Sequence, residues 1–131
     1  MAAFMKGYTG ETYALMRIMV GLNFFFHGTH KLFSFPQAAP EAPAFVLYGA
    51  GVIELVGGLL VTIGFQTRWA AFICSGTMAA AYWMAHGLNH LFPQINQGEL
   101  ALIYCFVFLF ISAHGSGIWS VDATRGGAGA G

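Results

Sequence analysis

Four long apolar stretches, each followed by residues that break helices, constrain this chain more than any other feature. They run from about residues 13 to 33, 44 to 65, 69 to 90 and 98 to 119. A bilayer core of about 30 Å is crossed by roughly 20 apolar residues in a helix, so each stretch is long enough to span it. The break at residues 35–43 alone holds three of the four prolines. The sequence therefore predicts an all-α integral membrane four-helix bundle.

The scarcity of charge supports the same conclusion. Only 8% of the 131 residues are charged and 57% are hydrophobic, whereas about a quarter of the residues of a soluble domain are normally charged. The chain therefore lacks the polar surface that a water-soluble domain of its size needs. Its net charge is zero with the histidines neutral, so no basic surface indicates nucleic-acid binding.

The basic residues predict how the chain is oriented. With four spans both termini lie on one side of the membrane, and the positive-inside rule makes the more basic side cytoplasmic. The side of the termini carries Lys6, Arg17, Arg68 and Arg125, and the other side carries only Lys31. We therefore expect cytoplasmic termini, with Arg17 and Arg68 acting as topology determinants. Residues 1–125 are predicted to form one domain and residues 126–131 a Gly/Ala-rich tail.

Small residues indicate how the spans pack. Gly51, Gly57 and Gly58 fall on one helical stripe of the second span, together with Glu54. Small residues on one stripe let helices approach closely in lipid, where no hydrophobic force drives their association. We therefore expect this stripe, and with it Glu54, to face the interior of the bundle.

Ionisable residues cluster in the outer half of the predicted bundle. With residue 23 at the centre of the first span, the helical rise places His27 about 6 Å and Lys31 about 12 Å towards the outside. Glu54 lies near the centre of the second span, and His86 and Glu99 lie about 10 to 15 Å outwards in theirs. Intramembrane ionisable groups usually face inwards, pair with one another and mark a site. These five residues are therefore candidates to line one polar pocket.

Structural explanations of the same residues stay open. Lys31 lies near the interface, where a lysine extends its ammonium to the lipid phosphates without any further function. Glu54 is equally compatible with a structural carboxyl that hydrogen-bonds to Asn23 or His27. In that case the polar cluster only locks the bundle.

The histidine spacing is also compatible in principle with a metal ion or a haem group. His86 and His90 lie one helical turn apart, and His27 with His86 is a possible axial pair for haem. No cysteine or aspartate joins them at a spacing that identifies a metal, and there is no CxxCH motif for haem attachment. We therefore expect no metal site and no covalently bound cofactor, and the pattern argues against haem.

The chain resembles the DoxX family of small four-helix bacterial membrane proteins over nearly its whole length. Arg17, His27 and Lys31 stand at the expected places of the first pattern, and Glu54 and Arg68 at those of the second. The segments that carry the resemblance are RIMVGLNFFFHGTHKLF (17–33), GVIELVGGLLVTIGFQTR (51–68), HGLNHLFPQINQGELALIY (86–104) and HGSGIWSVD (114–122). The resemblance implies a multi-pass protein of the bacterial cytoplasmic membrane. It also implies membrane redox systems, because relatives resemble the membrane subunit of thiosulfate:quinone oxidoreductase or associate with quinone chemistry.

Two functions follow as hypotheses. In the first, the chain is a membrane subunit of a quinone-linked redox complex, and its pocket holds the quinone headgroup. His27 and His86 then donate hydrogen bonds, Lys31 offsets negative charge, and Glu54 or Glu99 relays protons. In the second, the chain is a non-catalytic accessory subunit of a larger membrane assembly. No self-contained active site is evident, and the expected partners are the lipid bilayer with other membrane subunits or further copies of the chain.

Overall fold

The computed structural model describes residues 3–126, and this part of the chain contains helices and turns but no β-strand. A short 3-10 turn precedes the first α-helix. The α-helices are α1 (Thr9–Phe33), α2 (Gly51–Ile63), α3 (Thr67–Tyr82), α4 (Pro93–Asn96), α5 (Glu99–His114) and α6 (Val121–Gly126). The predicted all-α fold is confirmed for the described residues. Apart from Gly126, the predicted Gly/Ala-rich tail lies outside them.

The four long helices run alternately in opposite directions. Arg17, near the start of α1, contacts Val61 near the end of α2. Arg68, at the start of α3, contacts Ser112 near the end of α5. We call the end of the bundle that holds Thr9, Ile63, Thr67 and His114 the terminal end, and the opposite end the distal end.

Two of the long helices continue through π-helical turns at the distal end. The turn Val46–Ala50 leads into α2, and the turn Trp83–Gly87 follows α3. At the terminal end α2 stops at Gly64, whose φ of 71° is left-handed, a conformation that glycine adopts without steric cost. Only three residues then separate α2 from α3, so the second and third helices form a tight hairpin.

The fourth long helix is shorter than the predicted span. It ends at His114 rather than near Trp119 because Gly115 (φ 96°) and Gly117 (φ 66°) leave the helical conformation. The Tyr13 hydroxyl donates a hydrogen bond of 2.6 Å to the Gly115 carbonyl. The residues that follow cross the terminal end before α6 begins, so the end of the predicted span forms a cover over the bundle.

Helix packing follows the small residues. The helices pack mainly as two pairs, α1 against α2 and α3 against α5. Gly28 and Gly58 lie where α1 and α2 approach most closely, since a Cβ at either position would collide with backbone atoms of the other helix. Gly51 also faces α1, through Leu32, whereas Gly57 faces Cys74 of α3. The glycines of the predicted stripe thus pack against two neighbouring helices, α1 and α3.

The helices carry apolar side chains on the outside as well as in the core. Phe24, Phe108 and Ile111 are almost completely buried, while Met19 and Phe106 are about 61% exposed. Within residues 3–126, the helical run Val46–Ile63 is long and apolar enough to cross a membrane, and Glu99–His114 is apolar but shorter. The outer surface of the bundle is therefore largely apolar.

Candidate functional site

A groove of about 510 Å³ lies between α1 and α5. Most of its wall is apolar, and its polar groups are the amide of Asn23 and the hydroxyl of Tyr104. The groove is lined by Met19, Val20, Leu22, Asn23, Phe26, Leu100, Ile103, Tyr104 and Val107. Its shape and polarity suit a ligand with a long apolar part and a small polar group.

Asn23 and Tyr104 join the two helices across the groove. The Asn23 amide donates a hydrogen bond to the Tyr104 hydroxyl. The ring of Tyr104 is almost buried and packs against Phe24 and Phe108, so the hydroxyl is held at a fixed position. Asn23 remains exposed along the groove, and its carbonyl oxygen has no hydrogen-bond partner among residues 3–126.

His27 lies one helical turn beyond Asn23 at the distal end of the groove. Its imidazole is half-buried and meets the Tyr104 ring edge-to-face at a centroid distance of 5.9 Å. A smaller depression of about 180 Å³, lined also by His30 and Gln37, opens beside it. Within residues 3–126 neither ring nitrogen of His27 has a hydrogen-bond partner. The imidazole is therefore free to bind a group that enters the groove.

Glu99 lies on the opposite side of the same groove. It lines a shallow extension of about 450 Å³ together with Gln94 and Gln97, and this extension shares Leu100 and Ile103 with the main groove. His27 and Glu99 thus stand at two polar margins of the groove between α1 and α5.

Lys31 and Glu54 form a separate unit between α1 and α2. The Lys31 ammonium contacts both carboxylate oxygens of Glu54, at 2.9 and 2.7 Å. Glu54 is 3% exposed and the Lys31 side chain 16%. The structure therefore pairs Glu54 with Lys31 rather than with Asn23 or His27, and the pair fastens α1 to α2 next to the glycine contact.

His86 belongs to a third place, the distal corner where α3 meets α4. Its Nδ1 donates a hydrogen bond of 3.0 Å to the Asn96 carbonyl. Asn96 is nearly buried, and its side chain also contacts the Tyr82 hydroxyl and the His90 carbonyl. These contacts fold the loop after α3 onto the bundle. His86 lines neither the α1/α5 groove nor the depression beside His27.

The five predicted site residues are thus distributed over three places. His27 and Glu99 line two separate depressions that adjoin the α1/α5 groove, Lys31 pairs with Glu54, and His86 holds the distal corner. No three histidine, cysteine, aspartate or glutamate side chains of the described part of the chain lie close enough together to hold a metal ion.

Sequence reasoning missed a polar cluster at the terminal end, built on Arg17. The guanidinium is fully buried, and its donors reach carbonyls at the end of α2 and in the segment after α5. The acceptors are the carbonyl oxygens of Val61, Thr62, Ile118 and Trp119, at 2.7 to 3.4 Å. The last carbonyls of a helix lack partners within it and favour a cation. Arg17 therefore stabilises the terminal end, whatever its part in membrane topology.

Arg68 and Asp122 complete this cluster. Arg68 donates to the carbonyls of Ser112 and Ala113 at the end of α5. The Asp122 carboxylate accepts hydrogen bonds from the Gln66 and Thr67 backbone N–H groups and from the Thr67 hydroxyl, at 2.8 to 3.0 Å. Burial acts to raise the pKa of Asp122, but these hydrogen bonds outweigh it and hold the pKa below its ordinary value. The segment after α5 thereby caps the start of α3.

A signal for this cluster was present in the sequence. Arg17 lies four residues inside an apolar span that begins at Tyr13, and a buried guanidinium needs acceptors nearby. Asp122 offered no such signal, because its partners, Gln66 and Thr67, lie more than fifty residues away in the chain.

The fold and the site define a small, all-helical bundle with an apolar exterior and polar groups gathered inside it near both ends. Residues 12–87 match the DoxX family. The chain is also 42% identical over 116 residues to a Haemophilus influenzae protein described as an uncharacterized protein, an alignment that covers 83% of this chain and 87% of the relative. No solved structure matches the chain. The chain belongs to the DoxX family, which is membrane-associated.

Proposed function

We propose that the chain is a multi-pass protein of the bacterial inner membrane and serves as a subunit of a quinone-linked redox system. The apolar exterior supports the membrane location. Side chains such as Phe72, Phe106 and Phe110 are more than half exposed in the middle of their helices. Soluble monomers rarely expose large continuous apolar surface, whereas lipid covers such a surface without cost.

The α1/α5 groove is the proposed quinone site. A quinone carries two carbonyl acceptors on a flat ring and a long apolar tail. The Asn23–Tyr104 pair provides the polar contacts of the groove itself, and Met19 and Val107 continue its apolar wall towards the terminal end. His27 lines the smaller depression that adjoins the groove at Asn23 and Phe26. The headgroup would lie beside His27, with the tail along α1 and α5.

The free imidazole of His27 is the observation that carries this proposal. One ring nitrogen of each of His30, His86 and His90 has a hydrogen-bond partner, and the ring of His114, which has none among residues 3–126, stacks on Tyr13 at the terminal end. His27 has none among residues 3–126, although it is half-buried beside a groove. Its N–H is therefore available to donate a hydrogen bond to a quinone carbonyl.

Binding of decylubiquinone to the purified protein tests the proposal. Tryptophan fluorescence quenching or calorimetry measures a dissociation constant for the wild type and for His27→Leu and Asn23→Leu. Each variant removes polar contacts to the headgroup, and loss of one such contact is worth about 1.4 kcal/mol or a factor of about ten in affinity. We expect the dissociation constant of each variant for decylubiquinone to be higher than that of the wild type by at least this factor of about ten.

His90→Gln is the matched control, because His90 lies in the distal loop outside the groove and its change should leave the dissociation constant unaltered. Absence of saturable binding to the wild type would refute the quinone site. Equal affinity of the wild type and His27→Leu would refute it as well.

A non-catalytic accessory subunit is the second candidate, and the Lys31–Glu54 pair favours it. Both ions are satisfied by each other, so this pair locks the bundle without requiring a ligand. In that case the apolar exterior contacts neighbouring subunits. A wild-type protein that binds no quinone alone, and that remains stable only in a co-purified complex, would favour this candidate.

A further inference from the structure

A second groove lies between α2 and α3, away from the proposed quinone site. Its wide distal part has a volume of about 530 Å³, and a narrower part of about 250 Å³ continues it towards the terminal end. The two parts share Ile53. The helix pair α2 and α3 is packed more loosely than α1 with α2 or α3 with α5, so this interface forms a lateral opening in the bundle.

Both walls of the wide part contain a π-helical turn. Val46 and Ala50 come from the turn before α2, and Met84 and Ala85 come from the turn after α3. π-Helical turns are rare and occur frequently at functional sites. Two of them face each other here, and the side chains between them include the small residues Ala80 and Ala81. The wide part is therefore formed by local departures from regular helix on both sides.

The dimensions and lining of the groove suit one extended hydrocarbon chain. At the helical rise of 1.5 Å per residue, Val46 and Leu60 at its two ends are about 21 Å apart. One leaflet of a bilayer contributes roughly 15 Å of hydrocarbon, so the groove is long enough to hold an acyl chain from a lipid of the distal leaflet. The narrow part is lined by Val56, Gly57, Leu60, Ala70 and other residues that present only apolar surface.

The distal rim of the groove carries one charge, the carboxylate of Glu41. Within residues 3–126 the Lys31–Glu54 contact is the single ion pair, and the exposed Glu41 side chain has no cationic partner there. The hydroxyl of Thr77, the other polar group of the lining, already donates to the Ile73 carbonyl. An occupant of this groove is therefore expected to combine an apolar chain with a cationic headgroup at the rim.

We propose that the α2/α3 groove binds one glycerophospholipid with an ammonium headgroup, phosphatidylethanolamine. One acyl chain lies between α2 and α3, and the ammonium contacts Glu41. An anionic lipid such as phosphatidylglycerol would place its phosphate beside the Glu41 carboxylate without an ammonium to compensate, and is therefore bound more weakly. This inference is independent of quinone binding, which uses the opposite interface of the bundle.

Native mass spectrometry of the full-length protein in detergent tests the proposal. The delipidated protein is titrated with phosphatidylethanolamine or phosphatidylglycerol of identical acyl chains. We expect the wild type to retain one phosphatidylethanolamine with an affinity about fivefold or more above that for phosphatidylglycerol. Ala80→Phe fills the groove from an exposed position and should abolish this retention, whereas Glu41→Gln should remove the difference between the two lipids.

Two variants outside the groove serve as controls. Ala113→Phe adds the same side chain at an exposed position of α5, and Glu11→Gln removes a carboxylate at the terminal end. Neither should change lipid retention. Equal retention of both lipids by the wild type, or unchanged retention by Ala80→Phe, would refute the proposal. A shift from dimer to monomer in Ala80→Phe without any change in lipid retention would instead assign the groove to a second copy of the chain and would refute it too.

Discussion

Lys31 and Glu54 carry two of the few charges in this chain into the interface of α1 and α2. Removing two ions from water costs several kcal/mol each, and the attraction between them offsets this only when the geometry is good. Here the ammonium contacts both carboxylate oxygens within 2.9 Å. The main effect of the pair is therefore to fix the register of α1 against α2. Its net contribution to the free energy of unfolding is small. Loss of one partner leaves the other charge without compensation.

A double-mutant cycle tests this view of the pair. Lys31→Met and Glu54→Leu should each destabilise the protein by about 3 kcal/mol, the lower end of the range for breaking a buried pair, because Lys31 keeps some contact with solvent. The double variant should be more stable than either single variant, since it leaves no unpaired charge. Unfolding in one detergent, followed by circular dichroism, gives the free energies. Additive losses in the double variant would show that the two charges do not depend on each other.

At the scale of the helices, close packing of α1 on α2 depends on glycine. Gly28 and Gly58 let the two backbones approach to a distance at which any side chain would collide. Dispersion and helix–helix contacts replace the hydrophobic effect inside a membrane, so this interface is a main source of stability. The segment after α5 adds further contacts. Arg17 hydrogen-bonds to this segment and to the end of α2, and Asp122 accepts hydrogen bonds from the start of α3.

Gly28→Ala measures the contribution of this close approach. Its Cβ would overlap the backbone of Leu55, so the helices must separate, and we expect a loss of about 1 to 3 kcal/mol, as for other overpacked cores. Gly76→Ala in α3 is the matched control, because no atom lies within 4 Å of the added Cβ. The Gly76→Ala substitution should leave the free energy of unfolding unchanged or raise it by up to about 1 kcal/mol, because alanine has the higher helix propensity. Equal stability of the two variants would show that α1 and α2 adjust to a methyl group without cost.

At the scale of the whole molecule, the basic residues and the apolar exterior together predict an orientation. Lys6, Arg68 and Arg125 lie at the terminal end with the buried Arg17, whereas Lys31 at the distal end is neutralised by Glu54. The positive-inside rule then favours a cytoplasmic terminal end. The α1/α5 groove and the rim of the α2/α3 groove would face the periplasmic half of the membrane.

Cysteine labelling in intact cells tests this orientation. In a background without Cys74 and Cys105, a single cysteine replaces Ala38 in the distal loop, Gly7 before α1, or Thr124 in α6. We expect a membrane-impermeant maleimide to label Ala38→Cys in intact cells, and to label Gly7→Cys and Thr124→Cys only after permeabilisation. Labelling of the last two in intact cells would reverse the orientation, and labelling of only one of them would contradict an even number of spans.

Local sequence pattern was enough to predict the approximate positions of the helices and the residues that break them. Helical hydrogen bonds join residues four apart, so an apolar run bounded by glycine or proline carries its own structural information. This is why the interior position of Glu54 was predictable. The same local pattern misplaced the end of the fourth helix near Trp119. The helix ends before Gly115, and the residues that follow are held across the terminal end by distant side chains such as Tyr13 and Arg17.

Which polar groups contact one another depends on how the helices pack. The partners of Glu54, Arg17 and Asp122 lie between 23 and 102 residues away in the chain, and no periodicity specifies such distant neighbours. Depth in the bundle placed His27 and His86 at similar levels, but depth leaves open which interface each side chain faces. That choice depends on which helices become neighbours, and it separates the free imidazole of His27 from the hydrogen-bonded ring of His86.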